Sequence, residues 1–113
     1  MLEEPFHLPA VSAVEALELA DDGATLIDLR KTPAAVASGK RLRGALIRDP
    51  FEFSHLDPLT RAAGKLIVFC VHGHEVSQFA CALLMLHGRD SCYVTGGYEA
   101  LVAAGATLED ISQ

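Results

Sequence analysis

With 113 residues, half of them apolar, and a formal charge of −6, the chain has the size and composition of one ordinary globular domain. Its longest apolar runs, LIVFCV and CALLML, fall far short of the roughly 18 residues that a membrane span needs, and its acidic balance gives no basic footprint for a phosphate backbone. Neither membrane nor nucleic acid is expected as a partner. The opening MLEEPFHLPA carries two acids and no apolar h-region, so it does not read as a signal peptide, and a cytoplasmic location is expected.

In chain order, Ser12 with Glu15 three residues later forms a capping box, and a helix is predicted over about 12–21 with Val14, Leu17, Ala13 and Ala20 as its apolar face. DDG breaks it, and ATLIDL reads as a short buried strand whose end carries Asp28 and Arg30. TPAAVAS is a short helix with Pro33 suited to its first turn, followed by a second strand at GALI. RDPFEFSHLDPLTRAAG has two Asp-Pro steps and no sustained period, which predicts a loop with one or two helical turns. KLIVFC is apolar at nearly every position, as in a parallel strand buried on both faces.

From Glu75 the period becomes 3.6, with Val76, Phe79, Ala80, Leu83, Leu84 and Leu86 or His87 on one side of a helix that ends at Gly88. SCYV is the next strand, TGG a turn, YEALVAAG a last short helix, and ATLEDISQ a tail packed only in part. Strands separated by helices imply an α/β fold: a mostly parallel sheet, helices on both faces, and a ligand site at the carboxyl ends of the strands. Cys70 stands at such an end.

Three cysteines, Cys70, Cys81 and Cys92, without C-x-x-C spacing point to reduced thiols, not to a disulfide framework or a four-cysteine zinc site. Between a buried strand and a helix start the chain must turn sharply, and Gly73 suits the backbone conformation that a Cβ would disfavour. Such a loop aims amides inward and sets a thiol at the positive end of a helix dipole, which lowers its pKa. Cys70 is thus read as a nucleophile, against the alternative of a small buried apolar residue; Cys81 and Cys92 are read as core packing. His72 and His74 are polar loop residues or accessories that steer an anion. A metal site with Cys70 and Glu75 would crowd its ligands into one turn. Glu75 suits the helix dipole and would also repel anionic substrates. The basic residues Arg30, Lys31, Lys40, Arg41, Arg43 and Arg48 are read as a solvated region balancing acids elsewhere, against a docking or anion-steering patch.

Four stretches together resemble a single-domain rhodanese. LIDLR is similar to that family's strand ending in Asp-x-Arg, and RLRGALI to its His-Ile-Pro-Gly-Ala segment, with Arg41 and Arg43 in place of the histidine and proline. IVFCVHGHEVS resembles its cysteine loop, and VTGGYEAL its Gly-Gly-aromatic-x-Ala helix start. The resemblance implies one rhodanese-like domain over 1–113, with a core of about 9–105 and a tail of 106–113, and about five mostly parallel strands flanked by helices. It implies a sulfurtransferase or persulfide carrier in which Cys70 becomes a persulfide and the loop Val71, His72, Gly73, His74, Glu75, Val76 and Ser77 binds the anion. Asp28 and Arg30 support the site. The implied partners are a small sulfur donor such as thiosulfate and a thiophilic acceptor, protein thiols or persulfides included, with no metal or organic cofactor.

The loop departs from the usual Cys-x-x-Gly-x-Arg-Ser pattern. The small pair that follows, Ala80 and Cys81, arrives one residue late, so the loop is read as seven residues, Cys70 to Val76. Related dual-specificity phosphatases and arsenate reductases end a loop of that length with an arginine that grips the oxyanion, where this chain has Val76 after Glu75. Phosphoryl and arsenate chemistry are accordingly disfavoured, and a less anionic donor or a protein persulfide is favoured. The competing reading is a non-catalytic rhodanese module with a regulatory or binding role.

Overall fold

The computed structural model describes residues 8–54, 56–61 and 64–111; the N-terminal stretch MLEEPFH and the last two residues, on which the leader and tail readings partly rest, lie outside them. A short strand β1, Ala10–Val11, leads into helix α1, Ala13–Asp21. The capping box forms as expected: the Ser12 hydroxyl accepts from the Glu15 amide at 3.1 Å and the Glu15 carboxylate accepts from the Ser12 amide at 3.0 Å. The buried face of α1 is Ala13 and Ala16, while Val14 points to solvent. Small residues let the helix approach its neighbours closely, and that requirement outweighs the larger apolar side chain.

The chain continues through β2 (Thr25–Asp28), α2 (Thr32–Ser38), β3 (Lys40–Leu42), β4 (Leu46–Ile47) and a short 3-10 helix at Pro58–Arg61. It then runs through β5 (Leu66–Phe69), α3 (Glu75–Leu86), β6 (Ser91–Val94), α4 (Gly97–Ala103) and β7 (Leu108–Asp110). The main sheet has the order β1-β6-β5-β2-β4 with every pairing parallel. Its strands alternate side chains between two cores. Leu26, Ile67, Phe69, Cys92 and Val94 meet α1 and α4 on one face, and Ile27, Leu66, Val68, Ala80, Cys81 and Leu84 pack against α3 on the other. All four residues of β5 are buried, as its unbroken apolar run requires. This is the α/β architecture expected from the alternation of elements.

Besides the short edge strand β1, which the sequence reading did not foresee, two further pieces differ from expectation. The described part of ATLEDISQ is packed only in part, as expected, but it is not a bare tail: Leu108–Asp110 pairs antiparallel with Lys40–Leu42 in a separate two-stranded sheet. The pairing partner lies about 70 residues upstream, so no local pattern announces it. Helix α3 turns part of the predicted face inward, with Ala80 and Leu84 buried and Val76 and Leu83 packed against the core, but shifted so that Phe79 and Leu86 point out. Ser77, Ala80, Cys81 and Leu84 are buried, while Phe79 and Leu86 are 69% and 82% exposed. A helix apolar on several sides leaves periodicity ambiguous, and the smaller stripe wins because it permits close helix–sheet contact.

The basic residues join segments more than they form a patch. Arg41 pairs with Glu109 at 3.4 Å, Arg48 with Asp57 at 3.1 Å, and Lys40 bonds Asp110. Among the described residues no helix is long and apolar enough to cross a membrane.

Candidate active-site loop at the end of β5

Parallel register sets the end of β5 level with the end of β2, Asp28 opposite Phe69, so Cys70 and the Asp28–Arg30 segment emerge side by side at the carboxyl edge of the sheet. The loop after Cys70 is clasped from outside. The Cys70 carbonyl accepts from the Tyr98 amide at 2.7 Å, the Val71 carbonyl from the Glu99 amide at 3.3 Å, and the Gly73 carbonyl from the Gln78 side-chain amide at 3.1 Å. With carbonyls held outward, the following amides turn inward.

Gly73 has φ +78°, and a Cβ there would stand 2.6 Å from the Val94 carbonyl oxygen and 2.7 Å from the Gly96 nitrogen. Gly97, φ +60°, faces it: a Cβ there would stand 2.3 Å from the Cys70 carbonyl oxygen. The loop and the TGG turn thus fit against each other with no room for side chains at either position. The structure bears out the turning role expected of Gly73. The role of Gly97 escaped the sequence because the turn was legible but its packing partner was not.

Cys70 is 7% exposed, and its thiol donates to the Ser77 hydroxyl at 3.3 Å, which in turn donates to the His74 carbonyl at 3.3 Å. Burial alone pushes the thiol pKa up. The Ser77 hydroxyl and the amides of Ser77, Gly73 and His74 act the other way and prevail, leaving Cys70 below the ordinary thiol value. Helix α3 begins at Glu75, so Glu75, Val76 and Ser77 are its first turn, and their position adds the positive end of its dipole.

Asp28 and Arg30 are 1% and 3% exposed and form a forked ion pair: Arg30 Nε reaches Asp28 Oδ1 and Oδ2, each at 3.1 Å, and Nη2 reaches Oδ2 at 2.9 Å. The remaining donors go to Ser38 Oγ at 3.0 Å and the Lys40 carbonyl at 2.9 Å, and the guanidinium lies 3.9 Å over the Tyr98 ring. Arg30 therefore braces β2, α2, β3 and the start of α4, whose Tyr98 amide holds Cys70.

His72, His74 and Glu75 are exposed. His72 Nδ1 stands 3.6 Å from Glu99 Oε1 and its ring lies 6.2 Å from that of His74. Among the described residues no three His, Cys, Asp or Glu side chains are grouped to hold a metal ion. A cleft of about 310 Å³ opens over Cys70, bounded by Val71, His72, His74, Glu75 and Val76 on one side and by Leu29, Arg30, Lys31 and Ala34 on the other. Of the opposite wall, Arg30 was expected at the site, whereas Leu29, Lys31 and Ala34 were not singled out as site residues from sequence. The signal for Lys31 was its position just beyond a strand that ends level with Cys70.

No family model matches the chain, and no curated protein matches it in sequence. Solved structures do match it. A rhodanese-related protein from Thermoplasma volcanium is 18% identical, with a TM-score of 0.72 over 89% of this chain and 97% of that one. A thiosulfate sulfurtransferase from Pseudomonas aeruginosa is 18% identical with a TM-score of 0.76, covering 97% of this chain and 21% of that larger one. A protein of unknown function from Rhodopseudomonas palustris, a possible tyrosine phosphatase, is 17% identical with a TM-score of 0.73 over 90% of this chain and 85% of that one. At such identities the likeness speaks for architecture, and that architecture, a five-stranded parallel sheet with its cysteine loop at the carboxyl edge, is the rhodanese-like fold.

Proposed function

We propose that the chain is a sulfurtransferase or persulfide carrier that moves sulfane sulfur through Cys70. The observation that carries this reading is a thiol buried at a strand end against the start of α3, 3.3 Å from the Ser77 hydroxyl, where that hydroxyl and the amides of Ser77, Gly73 and His74 lower its pKa despite burial. A group held in this way is poised as a nucleophile and is also a good leaving group.

In the first half-reaction the Cys70 thiolate attacks the outer sulfur of a donor. The donor's sulfur–sulfur bond breaks, its electron pair leaves with the departing group (sulfite, when thiosulfate is the donor), and Cys70 carries a persulfide. In the second, a thiophile attacks that outer sulfur and Cys70 leaves as the thiolate, returned to the same amides. The loop amides meet the negative charge in both steps without reorganising. Arg30 makes its bonds to Asp28, Ser38 and Lys40 and acts through the frame, as a positioning residue. Phosphoryl transfer would require a charged donor at the loop end, where Val76 stands.

Incubation with thiosulfate, polysulfide or a protein persulfide, read by intact mass, is expected to add one sulfur to the native chain and none to Cys70→Ala. A folded native protein that takes up no sulfur from any of the three donors would remove the catalytic reading and leave a binding module.

A further inference from the structure

Beside the Cys70 cleft lies a second depression of about 350 Å³, walled by Pro50, Phe51, Glu75, Val76 and Phe79. Glu75 and Val76 line both, so the two depressions adjoin along the start of α3, one over the thiol and the other beside the phenyl rings of Phe51 and Phe79. Those rings are 79% and 69% exposed, and the Lys31 ammonium stands 5.8 Å from the Phe51 ring, within cation–π reach. Helix α3 gains nothing for the core from Phe79, since its buried stripe is Ser77, Ala80, Cys81 and Leu84.

Size and charge both bear on what lies in two such adjoining depressions. Liquid water occupies about 30 Å³ per molecule, so either one is far larger than a five-atom thiosulfate ion requires. Concave apolar sites of this order hold organic ligands. The Glu75 carboxylate sits at the junction of the two, where a dianion on its way to Cys70 would meet it.

The geometry points to a low-molecular-weight organic thiol or persulfide with an apolar, unionised body as the substrate of this site, its sulfur at Cys70 and its body between Phe51 and Phe79. This rests on the sulfur-transfer reading. In the acceptor direction the ionised thiol attacks the outer sulfur of protonated Cys70–S–SH, the bond to Cys70 Sγ breaks with its pair returning to Cys70, and the acceptor leaves as its own persulfide. No net oxidation occurs, and no further reactant is needed.

The binding test uses Cys70→Ser protein, which reports association whether or not the chain transfers sulfur. Phenylmethanethiol, followed by amide NMR, is expected to shift Phe51, Val76 and Phe79 saturably, whereas mercaptoacetate and thiosulfate do so at least about ten-fold more weakly. Phe51→Ser and Phe79→Ser, both at exposed positions, are each expected to weaken binding about ten-fold, as loss of a buried phenyl contact implies.

With Cys70 loaded as the persulfide, Phe79→Ser should lower kcat/KM for phenylmethanethiol about ten-fold relative to that for 2-mercaptoethanol. Equal binding of the anionic thiol, shifts located elsewhere, or insensitivity to both substitutions would overturn the inference. So would shifts at Phe51 and Phe79 that depend on protein concentration alone, because a second copy would then cover the face. If Cys70 accepts no sulfur while phenylmethanethiol still binds between the rings, the sulfur-transfer reading falls and the organic-ligand site stands.

Discussion

Cys70 and the pair Cys81 and Cys92 are almost equally hidden, at 7%, 0% and 1% exposure, yet their acidities are displaced in opposite directions. Burial pushes Cys92 up to about 11 and raises Cys81 as well, while Cys70 is lowered. A serine hydroxyl does not make the difference. Cys81 also has one, with Ser91 Oγ at 3.5 Å, close to the 3.3 Å between Cys70 and Ser77. What separates them is the backbone. Cys81 lies inside a helix whose amides are spent on the helix itself, whereas Cys70 lies where a strand has ended and the amides of Gly73, His74 and Ser77 point to it. Thiol acidity in this chain is thus a property of chain direction at a sheet edge, not of depth.

The comparison breaks most severely if the frame under the loop is removed. Arg30→Met leaves Asp28 buried and uncompensated, with an expected loss of about 3–5 kcal/mol by chemical denaturation and an accompanying rise in the Cys70 pKa measured by alkylation against pH. Gly73→Ala acts on the loop directly. With φ at +78° and backbone atoms at 2.6 and 2.7 Å from the new Cβ, a cost of about 2–4 kcal/mol is expected, and Cys70 alkylation at neutral pH should slow toward that of a free thiol.

The core thiols provide the converse. Cys92 has a folded-state pKa of about 11 against an ordinary 9.0, so it is neutral in both states below pH 9. Between pH 9 and 11 only the unfolded chain releases this proton. Stability should therefore fall as pH rises through that window, by up to about 3 kcal/mol. Cys92→Ala, compared at each pH with its own value at pH 8, should flatten the decline.

The smallest effects sharpen the contrast. Ser77→Ala and Ser91→Ala each remove one hydroxyl and should cost about 1 kcal/mol of stability. Only Ser77→Ala should slow iodoacetamide modification of the native protein, by several-fold, because Ser91 serves a thiol that is already inert. Equal effects on the two thiols would contradict the role given to the amides.

Much of this was legible in the sequence wherever the determinant was local. Ser12 with Glu15 set the first helix start, the unbroken LIVF run marked a strand buried on both faces, and Gly73 marked the sharp turn after Cys70. The asymmetry between Cys70 and the other two cysteines was also legible, since a strand end can be told apart from the helix interior of Cys81 and the strand interior of Cys92. What stayed hidden depended on distant segments. The pairing of Lys40–Leu42 with Leu108–Asp110, the fit of Gly97 against the loop, and the inward stripe of α3 are each decided by a partner that no local window contains. Phe79 shows the same limit: its helical spacing agreed with burial, and only the sheet's preference for a small-residue stripe reveals that it faces outward.

The clasp between Cys70–Gly73 and Gly97–Glu99 ties chemistry to the order of synthesis. The hydrogen bonds that hold the Cys70 and Val71 carbonyls come from Tyr98 and Glu99, more than 25 residues later in the chain. A growing chain that has emerged only as far as β6 has the cysteine, the turning glycine and the helix that follows, but not the outer half of the clasp. Docking of the fourth helix, which fixes the two carbonyls, is expected to complete the lowering of the Cys70 pKa, so a nascent chain should keep a more ordinary thiol until then. The pH midpoint of Cys70 alkylation should accordingly differ between stalled chains that end before and after the fourth helix.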